Sequence, residues 1–451
     1  MENLRKRIKI SPSFKIILGF VGLILIGAFL LSLPFSNTNG KWLNVFDALF
    51  TSTSGVCVTG LQTIDTSTSF TLFGKIVLLL LIQFGGLGIV AITSLIFLIL
   101  GKKINLTNRL TIKESLNKDT MQGVVKFIKK VLIITFTIEA IGALCLLYST
   151  VSISGNFWIG LFNAIFLSVA SFCNAGFDTL GTHDNTFASL TPFAHDVLIL
   201  LPIMFLIILG GIGFVVLIDG AQNGRLKQHT KVVFTITGAL ILVGFASFIL
   251  FEWNNPNTIG NMTTWDKLLN AMFQSITSRT AGFATIDQAS LTSGSKIITI
   301  FLMFIGASPN STAGGIKTTT LFIFLLFLFR RTNSNGNINF HGKKISNNIL
   351  IKSVKIVAFA ILFLLIAICT IRLIEPSTTS LESIIFECTS ALSTTGLSMG
   401  ITSTLSNLSK VIITILMFTG RIALTTIALT ISTKSIENDN IEYTNTDIIV
   451  G

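Results

Sequence analysis

The chain has 451 residues, of which 51% are hydrophobic and only 12% are charged. A soluble protein of this length carries about twice that charged fraction, so the composition excludes an ordinary soluble enzyme. The net charge of +12 would suit nucleic acid as a partner, but the basic residues flank the apolar blocks, which argues against a nucleic-acid surface.

Eight long apolar blocks predict eight membrane-spanning helices, since a helix needs about 20 apolar residues to cross a bilayer. The blocks lie at residues 14–34, 71–100, 127–150, 194–219, 231–252, 295–329, 349–374 and 407–433. Basic residues cluster before the first block and after every second one, which predicts that both termini are cytoplasmic. The opposite side is richer in carboxylates, among them Asp65, Asp178 and Asp287, and such a surface concentrates cations.

A shorter, semi-polar stretch follows each odd-numbered block. Each stretch opens with an amphipathic segment that contains a Phe, followed two positions later by a small polar residue: Phe50 and Ser52, Phe166 and Ser168, Phe273 and Ser275, Phe386 and Cys388. Each ends in a glycine followed by Leu or Phe, at Gly60, Gly176, Gly282 and Gly396. Such regular recurrence predicts a repeated unit of helix, short helix, glycine loop and helix.

The sequence therefore predicts an all-α integral membrane fold of four tandem helix–pore-loop–helix repeats, with pseudo-fourfold symmetry around one central pore. The predicted repeats are residues 14–100, 127–222, 223–332 and 349–433. The predicted cytosolic segments are residues 1–13, 101–126, 333–348 and 434–451.

The four glycine loops predict a cation filter. Non-helical backbone at membrane depth is tolerated where it is buried in protein or lines a wet cavity. Rings of backbone carbonyls can replace the water of a dehydrated cation, and glycine lets those carbonyls turn inward. The predicted ion-binding residues are Cys57, Val58, Thr59, Gly60, Cys173, Asn174, Ala175, Gly176, Arg279, Thr280, Ala281, Gly282, Thr394, Thr395 and Gly396.

The alternative interpretation is that glycines only let helices pack closely. It suits two groups within the second and fourth blocks, namely Gly85, Gly86 and Gly88, and Gly210, Gly211 and Gly213. It explains poorly why the four loop glycines recur at the ends of polar stretches.

The sixth block is interrupted by a polar, glycine-rich run, which we call the gate segment (residues 306–317). Its composition would not continue a lipid-facing helix, and if it crosses beneath the filter it can close the pore. The alternative is a simple kink. The predicted gate residues are Gly306, Ala307, Ser308, Pro309, Asn310, Ser311, Thr312, Ala313, Gly314, Gly315 and Lys317.

Arg421 is a lone charge inside the last block, where charged residues usually face a cavity or a partner. It is predicted to form a barrier in the pore, to pair with backbone carbonyls or the gate segment, or to do both. Glu139 and Arg279 are interpreted as structural polar contacts. The sequence has no nucleophile–base constellation, nucleotide motif or metal-ligand spacing, so an enzyme is not expected.

The loop endings CVTGL, CNAGF, RTAGF and STTGL resemble the filters of the Trk/Ktr/HKT superfamily of potassium transporters, and the chain is most similar to the bacterial KtrB type. The resemblance implies potassium uptake through the bacterial cytoplasmic membrane, with potassium in the filter, a gate at residues 306–317 and a pore arginine at Arg421. It also implies a homodimer on a cytosolic nucleotide-binding ring of KtrA-type subunits, and possible stimulation by sodium. One departure is that the third stretch is a residue shorter between Phe273 and Gly282.

Two rival functions differ in class. A sodium-coupled secondary solute carrier would have inverted repeats around a midplane site, whereas four similarly ordered units are predicted here. A membrane subunit that only docks partners would leave the four glycine loops unexplained.

Overall fold

The computed structural model describes residues 12–88, 123–182, 186–221, 226–329, 338–340 and 343–423. The predicted tail 434–451 lies outside the described residues, as do most of segments 1–13 and 101–126. The regular elements of the described chain are helices, apart from a small antiparallel hairpin of β1 (Ile338–Phe340) and β2 (Lys343–Ile345), in which Asn339 pairs with Lys344. The helical fold confirms the all-α prediction, and this hairpin is a small exception within the predicted cytosolic segment 333–348.

Four sets of elements follow one another along the chain, and each begins with a long apolar helix. These helices are α1 (Pro12–Ser32), α5 (Val124–Ser154), α9 (Gln228–Glu252) and α13 (Asn347–Ile374). Each is long and apolar enough to cross a bilayer. Their outer faces expose large apolar side chains such as Leu25, Leu144, Leu242 and Leu365, as expected for surfaces that contact lipid.

A short helix comes next in each set: α2 (Val45–Cys57), α6 (Phe157–Phe172), α10 (Thr264–Thr277) and α14 (Leu381–Ser393). The side chain of the preceding polar residue accepts a hydrogen bond from a first-turn amide in each case, which satisfies an otherwise unpaired donor. These N-cap residues are Asn44, Asn156, Thr263 and Ser380.

Buried serines join the short helices to the long ones in the first three sets. Ser52 donates to the carbonyl of Ile24 at 2.7 Å, and Ser168 donates to that of Glu139 at 2.6 Å. Ser275 donates in the same way to Ile241 at 2.7 Å. A glycine three residues after each acceptor leaves room for the hydroxyl, since an added Cβ there would lie closer than 3.0 Å to it: Gly27, Gly142 and Gly244. The fourth short helix has Cys388 at the position of these serines.

The last part of each set is bent, broken or short. It consists of α4 (Leu72–Leu87), α7 (Val197–Ile212) with α8 (Phe214–Ala221), α11 (Ser293–Phe304) with α12 (Thr318–Phe329), and α15 (Asn407–Phe418). The gate segment separates α11 from α12, so the predicted interruption of the sixth block is confirmed. The fourth block is not one straight span, because α7 and α8 meet at 98°.

The glycine-rich runs in α4 and α7 have two different roles. At Gly85 and Gly210 an added Cβ would overlap the carbonyl oxygens of Val56 and Phe172, so close helix packing is confirmed there. Gly88 and Gly213 instead end their helices at φ of +82° and +97°. An ordinary side chain is strained at such angles. Nothing lies within 4 Å of a Cβ added to Gly88, so the packing interpretation is wrong there, whereas a Cβ at Gly213 would also lie 2.6 Å from the carbonyl oxygen of Pro309.

Hydrogen-bonded or charged pairs of a basic and an acidic side chain connect neighbouring sets at the ends of their short helices. In each pair, an acidic residue in the first turns of a short helix meets a basic residue at the start of the preceding set's last part. The pairs are Lys410 with Asp47 at 3.0 Å, His195 with Asp266 at 2.9 Å and Lys296 with Glu382 at 3.5 Å. The pair between Lys410 and Asp47 joins the fourth set to the first.

Candidate ion pore

A residue in the left-handed region follows each short helix, one to three residues after the last helical residue. Val58, Asn174, Thr280 and Thr394 have φ between +52° and +66°. The loop glycine two residues later also has positive φ: +92° at Gly60, +66° at Gly176, +83° at Gly282 and +94° at Gly396. A β-branched residue such as Val58 is strained by roughly 1–3 kcal/mol in this conformation, and strain of this kind clusters at functional sites.

The four glycine loops meet one another in a closed ring. A Cβ added to Gly60 would lie 2.5 Å from the carbonyl oxygen of Ala175 and 3.1 Å from the Cα of Gly176. A Cβ at Gly176 would lie 2.7 Å from the carbonyl oxygen of Ala281. A Cβ added to Gly282 would overlap the carbonyl oxygen of Thr395, and one added to Gly396 would overlap that of Thr59. The sequence predicted four similar loops, and the tertiary structure brings them together.

Loop amides are bonded back to the short helices. The amides of Gly60 and Gly396 each donate at 3.0 Å to a serine hydroxyl of their own helix, Ser54 and Ser390. The amide of Ala175 donates to the carbonyl of Ala170 at 2.7 Å. Each loop also starts at the carboxyl end of a short helix, which carries partial negative charge and therefore favours a cation.

All the predicted filter residues are buried, with Arg279 the most exposed at 7%. Four threonine hydroxyls in the loops have no hydrogen-bond partner among the described residues: Thr59, Thr280, Thr394 and Thr395. A buried polar atom without a partner is costly, so these oxygens are available to a ligand.

A cavity of about 310 Å³ lies on one side of the ring. It is lined by all four loop glycines and by three carboxylates, Asp65, Asp178 and Asp287. Asp65 caps α3 (Thr66–Ser69), which holds its carboxylate in place. Burial and then the neighbouring charge of Asp65 raise the pKa of Asp178 to about 6. These three carboxylates are the ones that the sequence analysis named on the carboxylate-rich side of the chain.

The gate segment crosses the opposite side of the ring, where the short helices end. The Thr312 hydroxyl donates to the carbonyl of Phe172 at 3.0 Å, at the second loop. At the fourth loop, a Cβ on Gly315 would lie 3.3 Å from the Cα of Ser393, and one on Gly314 would overlap Thr394. The segment thus extends from the second loop to the fourth.

Most of the predicted gate residues are buried. Pro309, Asn310, Ser311 and Lys317 are half-buried. Asn310 accepts a hydrogen bond at 2.8 Å from the amide of Phe214, directly after the bend between α7 and α8. Lys317 bonds back to its own segment, at 2.7 Å from the carbonyl of Ala313.

Arg421 lies in a short π-helical turn (Thr419–Ala423) that continues α15. Its guanidinium donates to the carbonyls of Gly85 at 2.6 Å, of Gly86 at 3.2 Å and of Thr312. Arg421 therefore ties the gate segment to the first set, which agrees with the prediction that it pairs with backbone carbonyls and with this segment.

Sequence reasoning missed Gln83. Its amide donates at 3.1 Å to the Glu139 carboxylate, while its oxygen accepts from the Cys173 thiol at 3.7 Å. Glu139 is thus a polar contact, as interpreted, and it reaches the second loop through Gln83. A lone glutamine within the second apolar block was the signal that could have identified it.

Another residue that sequence reasoning missed is Glu387 in α14. Its carboxylate accepts from the amide of Met399 at 3.2 Å, from the hydroxyl of Thr402 at 3.0 Å and from Ser398. These partners follow the fourth loop glycine, so Glu387 supports one wall of the carboxylate-lined cavity. A carboxylate directly between Phe386 and Cys388, in the buried middle of a short helix, was the available signal.

Comparison of the whole chain with known proteins places these features in a family. The TrkH family, described as a cation transport protein, matches residues 15–227 and 227–443. The chain belongs to the TrkH family. It is 37% identical to the potassium/sodium uptake protein NtpJ of Enterococcus hirae, over 100% of both chains.

Two further comparisons agree with the TrkH family. The chain is 38% identical to the Ktr system potassium uptake protein B of Bacillus subtilis, over 100% of this chain and 99% of that protein. The crystal structure of the potassium transporter TrkH from Vibrio parahaemolyticus matches with a TM-score of 0.70 at 19% identity, over 95% of this chain and 86% of that one. That structural match establishes the helical membrane fold. The alternative of a sodium-coupled solute carrier gains no support from the family match.

Proposed function

We propose that this TrkH-family chain takes up potassium across the bacterial cytoplasmic membrane, through a pore enclosed by the four glycine loops. The observation that carries the proposal is the closed ring of loop glycines, each at positive φ and each against a carbonyl of the next loop. The relatives that are named as potassium uptake proteins support the choice of ion.

The chemistry follows from the ring. Carbonyl and threonine oxygens replace the water of an entering potassium ion, and four loops supply oxygens on all sides of the axis. Asp65, Asp178 and Asp287 raise the local cation concentration at the outer mouth. The carboxyl ends of the short helices add a negative potential at the ring. The ion is the cargo, and it moves down its electrochemical gradient.

The finer architecture is part of this proposal. Residues 14–100, 127–222, 223–332 and 349–433 form four repeats around one pseudo-fourfold pore, with eight spans and both termini cytoplasmic. The matching serine and glycine contacts in the first three sets support the repeat.

The same proposal includes partners. The chain forms a homodimer with one pore per protomer, on a cytosolic nucleotide-binding ring of KtrA-type subunits, and sodium stimulates it. The relative's description as part of a Ktr system supports a regulatory partner.

The gate segment obstructs the pore, so that the chain alone takes up ions only at a low basal rate until the partner ring moves the segment. The contacts of Thr312, Gly314 and Gly315 with two of the loops support an obstruction directly beneath the ring. Arg421 locks this closed arrangement by bonding Thr312 to the first set.

The test is rubidium uptake into proteoliposomes that contain the purified chain, with sodium as the competing ion. The native chain is expected to prefer rubidium, and deleting residues 310–314 is expected to raise uptake at unchanged preference. A deletion variant that elutes as folded protein but transports more slowly would refute the closing role. Sodium-preferring uptake by the native chain would refute the choice of ion.

A further inference from the structure

A small cavity lies behind the third glycine loop. Its volume is about 20 Å³, and its lining comes from three directions. Ile207 and Gly211 belong to α7, Thr237 and Ile241 belong to α9, and Ala307 belongs to the gate segment. Arg279, the first residue of the third loop, also lines the cavity, together with Ile208 and Ile276. A cavity of this size is large enough for one water molecule.

Two polar atoms of the lining are buried without a partner. The Nε of Arg279 and the hydroxyl of Thr237 make no hydrogen bond with any described residue. Each residue is only 7% exposed. None of the ion pairs among the described residues includes Arg279. Buried donors are nearly always hydrogen-bonded to protein or to ordered water, so this pair points to a bound molecule between them.

The third loop differs from the others at this position. Three residues before the loop glycine, the other loops have small side chains, namely Cys57, Cys173 and Ser393. The third stretch is also one residue shorter. Arg279 therefore places a long charged side chain where the other loops have a small buried one, in the loop that has the fewest residues to accommodate it.

We infer that this cavity is a binding site for one water molecule, which accepts from Nε of Arg279 and bonds to the Thr237 hydroxyl. This water fixes Arg279, and through it the backbone of the third loop, to α9. Arg279 is then a positioning residue for ion selection. This role rests on the proposed potassium filter, whereas the water site itself does not.

The rest of the lining favours water over an ion. Apart from Arg279 and Thr237, it consists of isoleucine, glycine and alanine side chains, which offer no further side-chain hydrogen bonds. A water molecule is satisfied by two to four polar partners, and it keeps the loop attached without adding a charge beside the ion path.

The test compares Thr237→Val with Thr135→Val. Both threonines are buried, and each lies seven residues before the glycine that contacts the short-helix serine, Gly244 and Gly142. The second set has Cys173 in place of Arg279, so Thr135→Val is the matched control. Thr237→Val is expected to lower the preference for rubidium over sodium about fivefold, the worth of roughly one hydrogen bond, while Thr135→Val leaves it unchanged.

Arg279→Lys separates position from charge, because lysine keeps the charge but has no Nε–H. We expect its ion preference to fall as in Thr237→Val. Native preference in both variants would overturn the positioning role. A high-resolution cryo-EM map of the native chain is expected to contain density between Nε and the Thr237 hydroxyl, independently of transport. A map in which both atoms bond directly to protein, or a bromide anomalous peak in the cavity of a soaked crystal, would overturn the water site.

Discussion

Replacing Gly60 by serine should weaken the discrimination of potassium from sodium. Gly60 has φ of +92°, where any side chain is strained, and its added Cβ would lie 2.5 Å from the carbonyl oxygen of Ala175. That oxygen belongs to the neighbouring loop of the ring. The substitution therefore forces the first two loops apart at the position where a potassium ion would be held.

The expected size follows from these contacts. A side chain in a left-handed conformation costs about 1–2 kcal/mol, and the overlap with Ala175 adds to it. If the binding free energy of potassium in the ring weakens by about 2 kcal/mol while that of sodium is unchanged, the preference for potassium over sodium falls roughly 30-fold. The chain should still fold, because replacing a glycine removes no side chain from the apolar core.

The assay is rubidium uptake into proteoliposomes with increasing sodium. Gly40→Ser is the matched control, since Gly40 also has positive φ, +62°, but nothing within 4 Å of an added Cβ. We expect the control to keep the native preference. An unchanged preference in Gly60→Ser, or an equal loss in both variants, would refute the reasoning that close approach between the loops selects the ion.

Two further predictions concern the two sides of the ring. Arg421→Gln should raise basal rubidium uptake several-fold, because the guanidinium that holds Thr312 to Gly85 is lost; slower uptake by a folded variant would contradict the locking role. On the outer side, the raised pKa of Asp178, about 6, means that this carboxyl becomes neutral as the pH falls through 6. With Asp65 and Lys75 as its charged neighbours, the potassium KM should rise between pH 7 and pH 5, whereas Asp178→Asn should have a high KM and no pH dependence over this range. A native KM that stays constant, or an asparagine variant that still responds to pH, would exclude Asp178 as the group responsible.

The charge of Asp178 decides the direction in which uptake changes with pH. Asp178 is ionised above pH 6 and attracts cations there, and a bound cation in turn lowers its pKa by favouring the ionised form. Uptake at low potassium concentration is therefore expected to fall on acidification.

The local features of this protein were readable from the sequence. Apolar blocks of membrane-spanning length, the interruption at residues 306–317 and the four recurring glycines are properties of short stretches of chain. The left-handed conformations at Gly60, Gly176, Gly282 and Gly396 agree with that analysis, since glycine tolerates them without a steric penalty. Local composition also indicated that Arg421 needs a partner.

Contacts between distant residues were decided only by the tertiary structure. Arg421 bonds to Thr312 and Gly85, which are 109 and 336 residues away along the chain. The roles of Gly85 and Gly88 differ although they are three residues apart, because one lies against the carbonyl of Val56 and the other ends the helix. The loop order around the ring, and the cavity that Arg279 shares with Thr237, likewise depend on which helices pack together. A sequence pattern predicts the secondary structure that each segment can form. Which segments contact one another depends on side-chain shape and burial, and these are set only when all the segments pack together.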